Sequence, residues 1–548
     1  MFKRVSTILI LLTGIAALFL GACSKENSTP STGKTLTYNL KEPGKTLDPQ
    51  LGTTVPSSTI LEMCMEGLTI QGKVPGEMLP AGAESWDISK DGTVYTFHIR
   101  KDGKWSNGET ITAHDYYFGM KRALEPVTAA QYAYMLYSIV NAKAYNESKI
   151  KDFSKVGIKI IDKFTLEITL KNVVPYFTQL LSNSVASPCN EKFLKKVGDQ
   201  YCLNADTMLY NGPYVISEYV PNGKVDFLKN QNYWDKERVK VDNWTFLMVS
   251  NYNTAANMFR SGELDFTVIS GAQIAQFKNN PNLVTKPDGS VWYLQFNIEN
   301  KFFNNINIRK AVSMAIDRKV MVENIMKDGS QPAYAFVPPG LAGGKVDGKL
   351  ITFRDRFPKK LLQENVAEAK KLYQKGLKEI GFDEAKEGKA KVKLLCQNNP
   401  PSMRQGQFIQ EQLFQNLGLN VILEPNTFQA KTAKEDQEDF DFSFAGWLPD
   451  YNYPTTFLDM WVTNGGNNHT NWSNAAYDQD IKTGETNDNS DTRISALHNS
   501  EVLLMKELPI VPIYYRYSNW LIKPWLKGYV IRTSGRQIGF QWIYVDKK

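Results

Sequence analysis

Between residues 440 and 461 the chain reads FDFSFAGWLPDYNYPTTFLDMW, and one of its three carboxylates, Asp450, stands among Trp447, Tyr451, Tyr453, Phe457 and Trp461. A carboxylate framed by aromatic rings is a socket for a cation that carries an apolar body, because the charge pairs with it and the ring faces attract it. The alternation ahead of Asp450 predicts a buried strand that ends at Phe444 and Ala445, breaks at Gly446 and shows Trp447. The competing reading is a core strand whose Asp450 only starts a turn before Pro454. Residue chemistry alone leaves both open.

Other chemistry fails on spacing. Gly33-Lys34-Thr35 and Gly44-Lys45-Thr46 resemble phosphate-loop tails, but Ser28 and Asn39 stand where the loop needs its first glycine. There is no G-x-S-x-G and no H-E-x-x-H, and His98, His114, His469 and His498 have no second ligand near them in the chain. Acid pairs among 57 Asp and Glu arise by chance, so they give a glycosidase no specific support. No metal, no cofactor and no catalytic constellation is expected.

The elements that must position Asp450 begin with a targeting segment. Lys3 and Arg4 precede an apolar run from Val5 to Leu20, shorter than the roughly 20 residues of a comfortable span. Its exit, Leu20-Gly21-Ala22-Cys23, resembles a bacterial lipobox. Residues 1–22 then read as a lipoprotein signal peptide, and Cys23 as the acylated (palmitate-bearing) residue. The polar stretch that follows, residues 23–35, reads as a flexible tether. The protein would sit on the extracytoplasmic face of the cell membrane. At 548 residues, with 42% hydrophobic and 22% charged residues, the chain can bury a large core. A formal charge of +7 over this length is mild, and no basic run carries interleaved aromatics, so nucleic acid is not an expected partner. Cys64, Cys189, Cys202 and Cys396 lack C-x-x-C spacing. Export would allow Cys189 and Cys202 to pair, but free buried thiols are the expectation.

Strands are predicted over 35–40, 94–100, 156–171 (a hairpin), 264–269, 291–297, 392–396, 419–423 and 508–516, and strand–turn–strand from Tyr210. Helices are predicted over 59–67, from a Thr112 cap to Ala123, and over 254–259, 307–316, 365–380 and 406–417. Residues 46–58 are rich in turn formers and read as a loop. The alternation predicts an α/β protein with substantial mixed sheet.

In order, the lipobox, TLDPQ, AESW, YTFHIRKDGKWSNGE, TAHD, NGPY, FRSGELDF, NIRKAVSMAIDR, AGWLPDYNYPT and LPIVPIYY resemble the extracytoplasmic solute-binding proteins for peptides, the lipoprotein receptors of ABC importers. The resemblance covers about residues 36–546. It implies a two-lobed, periplasmic-binding-protein-like α/β fold with mixed sheets, a hinge and an inserted domain. Lobe one would be 36–65, 191–289 and 515–548, the insert 66–190 and lobe two 290–514. It further implies a monomer that takes an oligopeptide ligand and delivers it to ABC transporter permease subunits.

Carried over by motif, Asp450 receives the peptide's N-terminal ammonium. Gly446, Trp447 and Leu448 pair with the peptide main chain from one lobe and Val55 from the other. Tyr132 touches the ligand from the insert, and Gln397 and Phe428 fall at pocket positions. A peptide held as an added strand binds through its main chain and leaves side-chain pockets tolerant. Two positions depart from the pattern: Phe444 stands where some relatives hold a basic residue for the peptide carboxylate, and Ser402 where a His can stand. The alternatives are the same fold with a sugar, metal chelate or signalling peptide, or a surface hydrolase or structural protein.

Overall fold

The computed structural model describes residues 35–546 apart from Pro75, Asp488 and Arg536. The leader, Cys23 and the tether as far as Lys34 lie outside the described residues. The described residues fall in one compact unit.

Strand β1 (Leu36–Asn39) is followed by helix α1 (Val55–Cys64). The loop expected up to residue 58 gives way to this helix because the Thr54 side chain accepts a hydrogen bond from the Ser57 N–H and Pro56 lies in the first turn, where its missing N–H costs nothing. Next come β2 (Ala83–Ile88), β3 (Val94–Ile99), α2 (Ala113–Leu124), β4 (Ile158–Asp162) and β5 (Thr165–Thr169). Thr112 and Asp115 close a reciprocal capping box on α2, as the T-x-x-D spacing predicts. β2, β3, β5 and β4 form a separate four-stranded antiparallel sheet in that order.

The chain then returns to the main sheet through β6 (Tyr214–Val220), β7 (Lys224–Lys229), β8 (Asn243–Leu247) and β9 (Phe266–Ile269). Strand β10 (Leu283–Phe296) is followed by helices α3 (Ile306–Ala315) and α4 (Val366–Glu379), strand β11 (Lys391–Gln397) and helix α5 (Pro400–Leu417). β12 (Asn420–Asn426), α6 (Phe428–Asp436), β13 (Phe442–Trp447), α7 (Ser490–Glu507) and β14 (Ile510–Ile522) complete the set used below. α5 starts six residues before the expected Gly406, because the Asn399 side chain caps it at the Ser402 N–H and two prolines fill its first turn. It stops, as expected, at Gly418, whose φ is +76°.

The main sheet runs β12–β11–β13–β10–β14–β9–β1–β8–β7–β6 and mixes parallel and antiparallel pairs. β10 and β14 are its longest strands and pair along most of their lengths. Their register shifts between Pro287 and Val291, leaving Asp288–Ser290 outside the ladder. One side of that break pairs with β9, the other with β13. Gly289 there has φ +80°, and a Cβ would lie 1.9 Å from the Thr533 carbonyl oxygen, so no other residue fits. The Asp288 carboxylate accepts hydrogen bonds from Arg516, Ser518 and Ser290 and pins the break.

A second core around Leu294, Ile308, Tyr373, Leu394, Ile409, Phe442 and Val511 is distinct from the larger one that holds Tyr38, Phe97, Trp244 and Trp461. Cys64, Cys189, Cys202 and Cys396 are all buried, the last three as free thiols.

Candidate functional site

A cavity of about 980 Å³ opens where β1, α1 and β14 face α5 and the end of β11. Val55, Gln397 and Ser402 line it, together with Tyr38, Trp292, Tyr514 and Trp520. Val55 is the first residue of α1 and 55% exposed. At this helix start Pro56 has no N–H, and the Ser57 and Ser58 N–H groups are taken by the Thr54 side chain and carbonyl. Gln397 ends β11, and its Oε1 accepts from Asn399 Nδ2 at 2.6 Å. Trp292 stacks on Tyr514 with centroids 6.0 Å apart. The indole N–H groups of Trp292, Trp447 and Trp520 are buried with no acceptor among the described residues.

The expected break of the strand at Gly446 is not observed: β13 continues through Trp447, which pairs with Val291 of β10. Gly446 keeps the strand regular because it lies flat against Trp292; a Cβ would come within 2.7 Å of the ring. On its other side β13 has β11 beside it only at Phe442 and Ser443. From Phe444 on, that edge carries no strand among the described residues. Leu448 follows the strand and is half-buried.

Asp450 lies just beyond this open edge, half-buried, with its N–H donating to Thr456 Oγ1 at 3.1 Å. Tyr134 donates its hydroxyl to the Asp450 carboxylate at 3.2 Å. Burial pushes the Asp450 carboxyl up to about 6, and the Tyr134 hydrogen bond works in the opposite direction. Tyr132 packs edge-on against Tyr134, centroids 5.8 Å apart, and donates to the Thr53 carbonyl at 3.3 Å. The turn Gln131–Leu136 therefore touches both the segment that leads into Val55 and the carboxylate at Asp450.

The aromatic frame differs from the sequence expectation. Tyr451, Tyr453, Phe457 and Trp461 are buried in the core, with Tyr451 stacked on Tyr176 at 4.1 Å and Trp461 packed against Tyr293 and Phe336. The phenol that reaches Asp450 comes instead from Tyr134, more than 300 positions away in the chain. Sequence reasoning missed Tyr134, Trp292 and Trp520; only the two-residue spacing of Tyr132 and Tyr134 hinted at a shared face. Phe428 opens α6, is 67% exposed and does not line the cavity. Phe444 is buried in the second core. Cations reach the cavity elsewhere, at Lys41, Lys327, Arg404 and Arg516. His98 and His114 sit against Asp87 and Glu191, each at 2.8 Å. Among the described residues, no three His, Cys, Asp or Glu side chains are grouped to hold a metal.

Residues 77–469 match the signature of "bacterial extracellular solute-binding proteins, family 5 Middle". The chain belongs to this family, which is one of solute-binding proteins and not of enzymes. It is 35% identical to the dipeptide-binding protein DppE of Bacillus subtilis, over 95% of this chain and 93% of that one. It is 34% identical to the oligopeptide-binding protein OppA of the same organism, over 98% of each. Its fold matches the solved structure of Listeria monocytogenes OppA bound to peptide, with a TM-score of 0.80 and 33% identity over 94% of this chain and all of that one. It also matches the substrate-binding domain of an oligopeptide ABC transporter from Bacillus anthracis, with a TM-score of 0.82 and 32% identity over 94% of this chain and 99% of that one.

Proposed function

We propose that the protein is a lipid-anchored extracytoplasmic receptor that captures oligopeptides between two lobes and delivers them to the permease subunits of an ABC transporter. The observation that carries this reading is the open edge of β13 from Phe444 to Trp447, with the half-buried carboxylate of Asp450 just beyond it, joined through Trp292, which pairs with Gly446, to a cavity of about 980 Å³. An extended peptide can add to such an edge through its main chain. Its N-terminal ammonium then falls to Asp450, and Gly446, Trp447 and Leu448 provide the backbone groups. Val55 offers its own from the cavity wall, Tyr132 closes the amine end, and Gln397 belongs to a side-chain pocket. The names of the relatives, oligopeptide- and dipeptide-binding proteins, support the same ligand class.

The lobes are 36–65 with 191–289 and 515–548, and 290–514; the insert is 66–190. The register break around Asp288–Ser290 supports a hinge at their junction. Cys23 carries the lipid, and the receptor works as a monomer.

Calorimetry on four combinations tests the anchor: wild type and Asp450→Asn, each with a free and an N-acetylated peptide. Removing one member of a buried ion pair costs ~3–5 kcal/mol, on the order of a hundred- to several-thousand-fold in affinity. The two changes remove the same pair, so they should be strongly non-additive. Simple additivity, or little effect of either, would show that Asp450 is not the amine anchor. Native mass spectrometry of protein purified from cells should find a heterogeneous set of short peptides; a single sugar or metal chelate would sink the peptide reading.

A further inference from the structure

Four lysines, Lys73, Lys286, Lys523 and Lys527, line a second depression of about 800 Å³ that shares no residue with the ligand cavity. No Asp or Glu lines it, and among the described residues none of the four ammonium groups is paired with a carboxylate. Lys73, Lys286 and Lys527 are exposed. Lys523 is half-buried, held by a hydrogen bond to the Phe259 carbonyl at 2.8 Å and lying over the rings of Phe259 and Trp525. Four like charges around one concavity repel one another, and an anion seated among them relieves that repulsion.

The position of the depression favours one source of anion. The Asp265 carbonyl accepts the Lys523 N–H, while the Asp265 N–H and carboxylate hold Thr37. The basic concavity therefore adjoins the point where the chain enters the fold from residues 24–34. Those residues reach about 40 Å fully extended and about 18 Å as a coil, so a bilayer holding Cys23 stays within reach of Thr37. Val74, 62% exposed beside Lys73, and the half-buried Trp525 and Tyr529 are the apolar and aromatic side chains that suit a headgroup region.

We infer that this concavity binds the phosphate groups of anionic phospholipid headgroups and so fixes the orientation of the receptor on its membrane. The choice of membrane as the source rests on the lipid-anchored reading above; the anion chemistry does not.

The test uses residues 24–548, which lack the acyl chain and contain the whole compact unit from Lys34. Co-sedimentation is measured with vesicles of pure phosphatidylcholine and with vesicles about one-third phosphatidylglycerol. Each lysine near an anionic surface contributes about fivefold in partitioning. The triple variant Lys73→Ala, Lys286→Ala, Lys527→Ala should therefore lose roughly a hundredfold on the anionic vesicles and keep its peptide affinity. Equal binding to both vesicles, or an unchanged triple variant, overturns the proposal. So does loss of vesicle binding in low-millimolar inorganic phosphate at constant ionic strength, which would make the concavity a site for a soluble anion. The mass of the mature N-terminus tests the anchor separately. An unmodified Cys23 with charge-dependent vesicle binding leaves the proposal standing, and an acylated Cys23 without such binding overturns it.

Discussion

With Asp450 as the proposed amine anchor, its protonation should couple peptide capture to pH. With its carboxyl near 6 in the ligand-free protein, an incoming ammonium favours the ionised form and expels the proton. Affinity should be flat above pH ~6 and fall toward tenfold per unit below it. The peptide amine, with its ordinary value of about 8, loses its charge on the alkaline side, so the profile is a bell between about 6 and 8. Asp450→Asn should abolish the acid limb. Tyr134→Phe removes the hydrogen bond that lowers the carboxyl, so the acid limb should move to higher pH; a limb that stays in place would deny Tyr134 this role. The same burial has a consequence for stability. Because the folded value lies above the unfolded one, the carboxyl's contribution falls as pH rises from about 4 through 6. Ligand-free Asp450→Asn should therefore be more stable at pH 7, on the order of 1–2 kcal/mol for a group still partly screened. Denaturant titration without peptide checks this, and a less stable variant would favour a structural role in the turn.

Individual elements carry their own consequences. Gly446 lets β13 run flat under Trp292, so Gly446→Val should force the indole into the cavity and weaken binding, at a stability cost of about 1–3 kcal/mol. Fluorescence of the Trp292 region and calorimetry check it together; unchanged affinity would mean that the ring yields freely. Elsewhere, Glu501 on α7 accepts the N–H groups of Phe336 and Val337 and pairs with Arg354, with both side chains buried. Arg354→Ala leaves that carboxylate buried with only the His498 imidazole nearby, at 4.0 Å, and should cost about 3–5 kcal/mol in denaturant unfolding. The helix and strand identities that were predicted were legible because apolar periodicity and capping residues are local; α6 and α7 were not among them. The starts of α1 and α5 were not legible, because Pro56 and Pro400 look like breakers until the caps at Thr54 and Asn399 are seen in place.

Across the whole molecule, the proposed reading has the ligand held both by Val55, which lines the cavity, and by the Gly446–Leu448 segment at the end of β13. A ligand that bridges them favours the closed arrangement only through contacts made better there. Small-angle scattering should show a smaller radius of gyration with peptide than without, and an unchanged radius would remove closure from the mechanism. Cys23→Ala should release the protein from the membrane fraction and abolish labelling by fatty acid; a variant that stays labelled and membrane-bound would exclude Cys23 as the lipid carrier.

Sequence alone determined the mixed α/β class and the family resemblance, and it put forward Asp450 as a candidate, because ordered motifs and a carboxylate in an aromatic segment are readable in one dimension. It could not determine which rings frame that carboxylate. Tyr451 and Trp461 are its neighbours in the chain, yet burial in the core claims them, while Tyr134 arrives across more than 300 positions. The open edge of β13 and the clustering of Lys73 with Lys523 and Lys527 were equally invisible. Each depends on where distant strands diverge or converge, and hydrophobic burial and long-range strand pairing decide that only when the whole chain is folded.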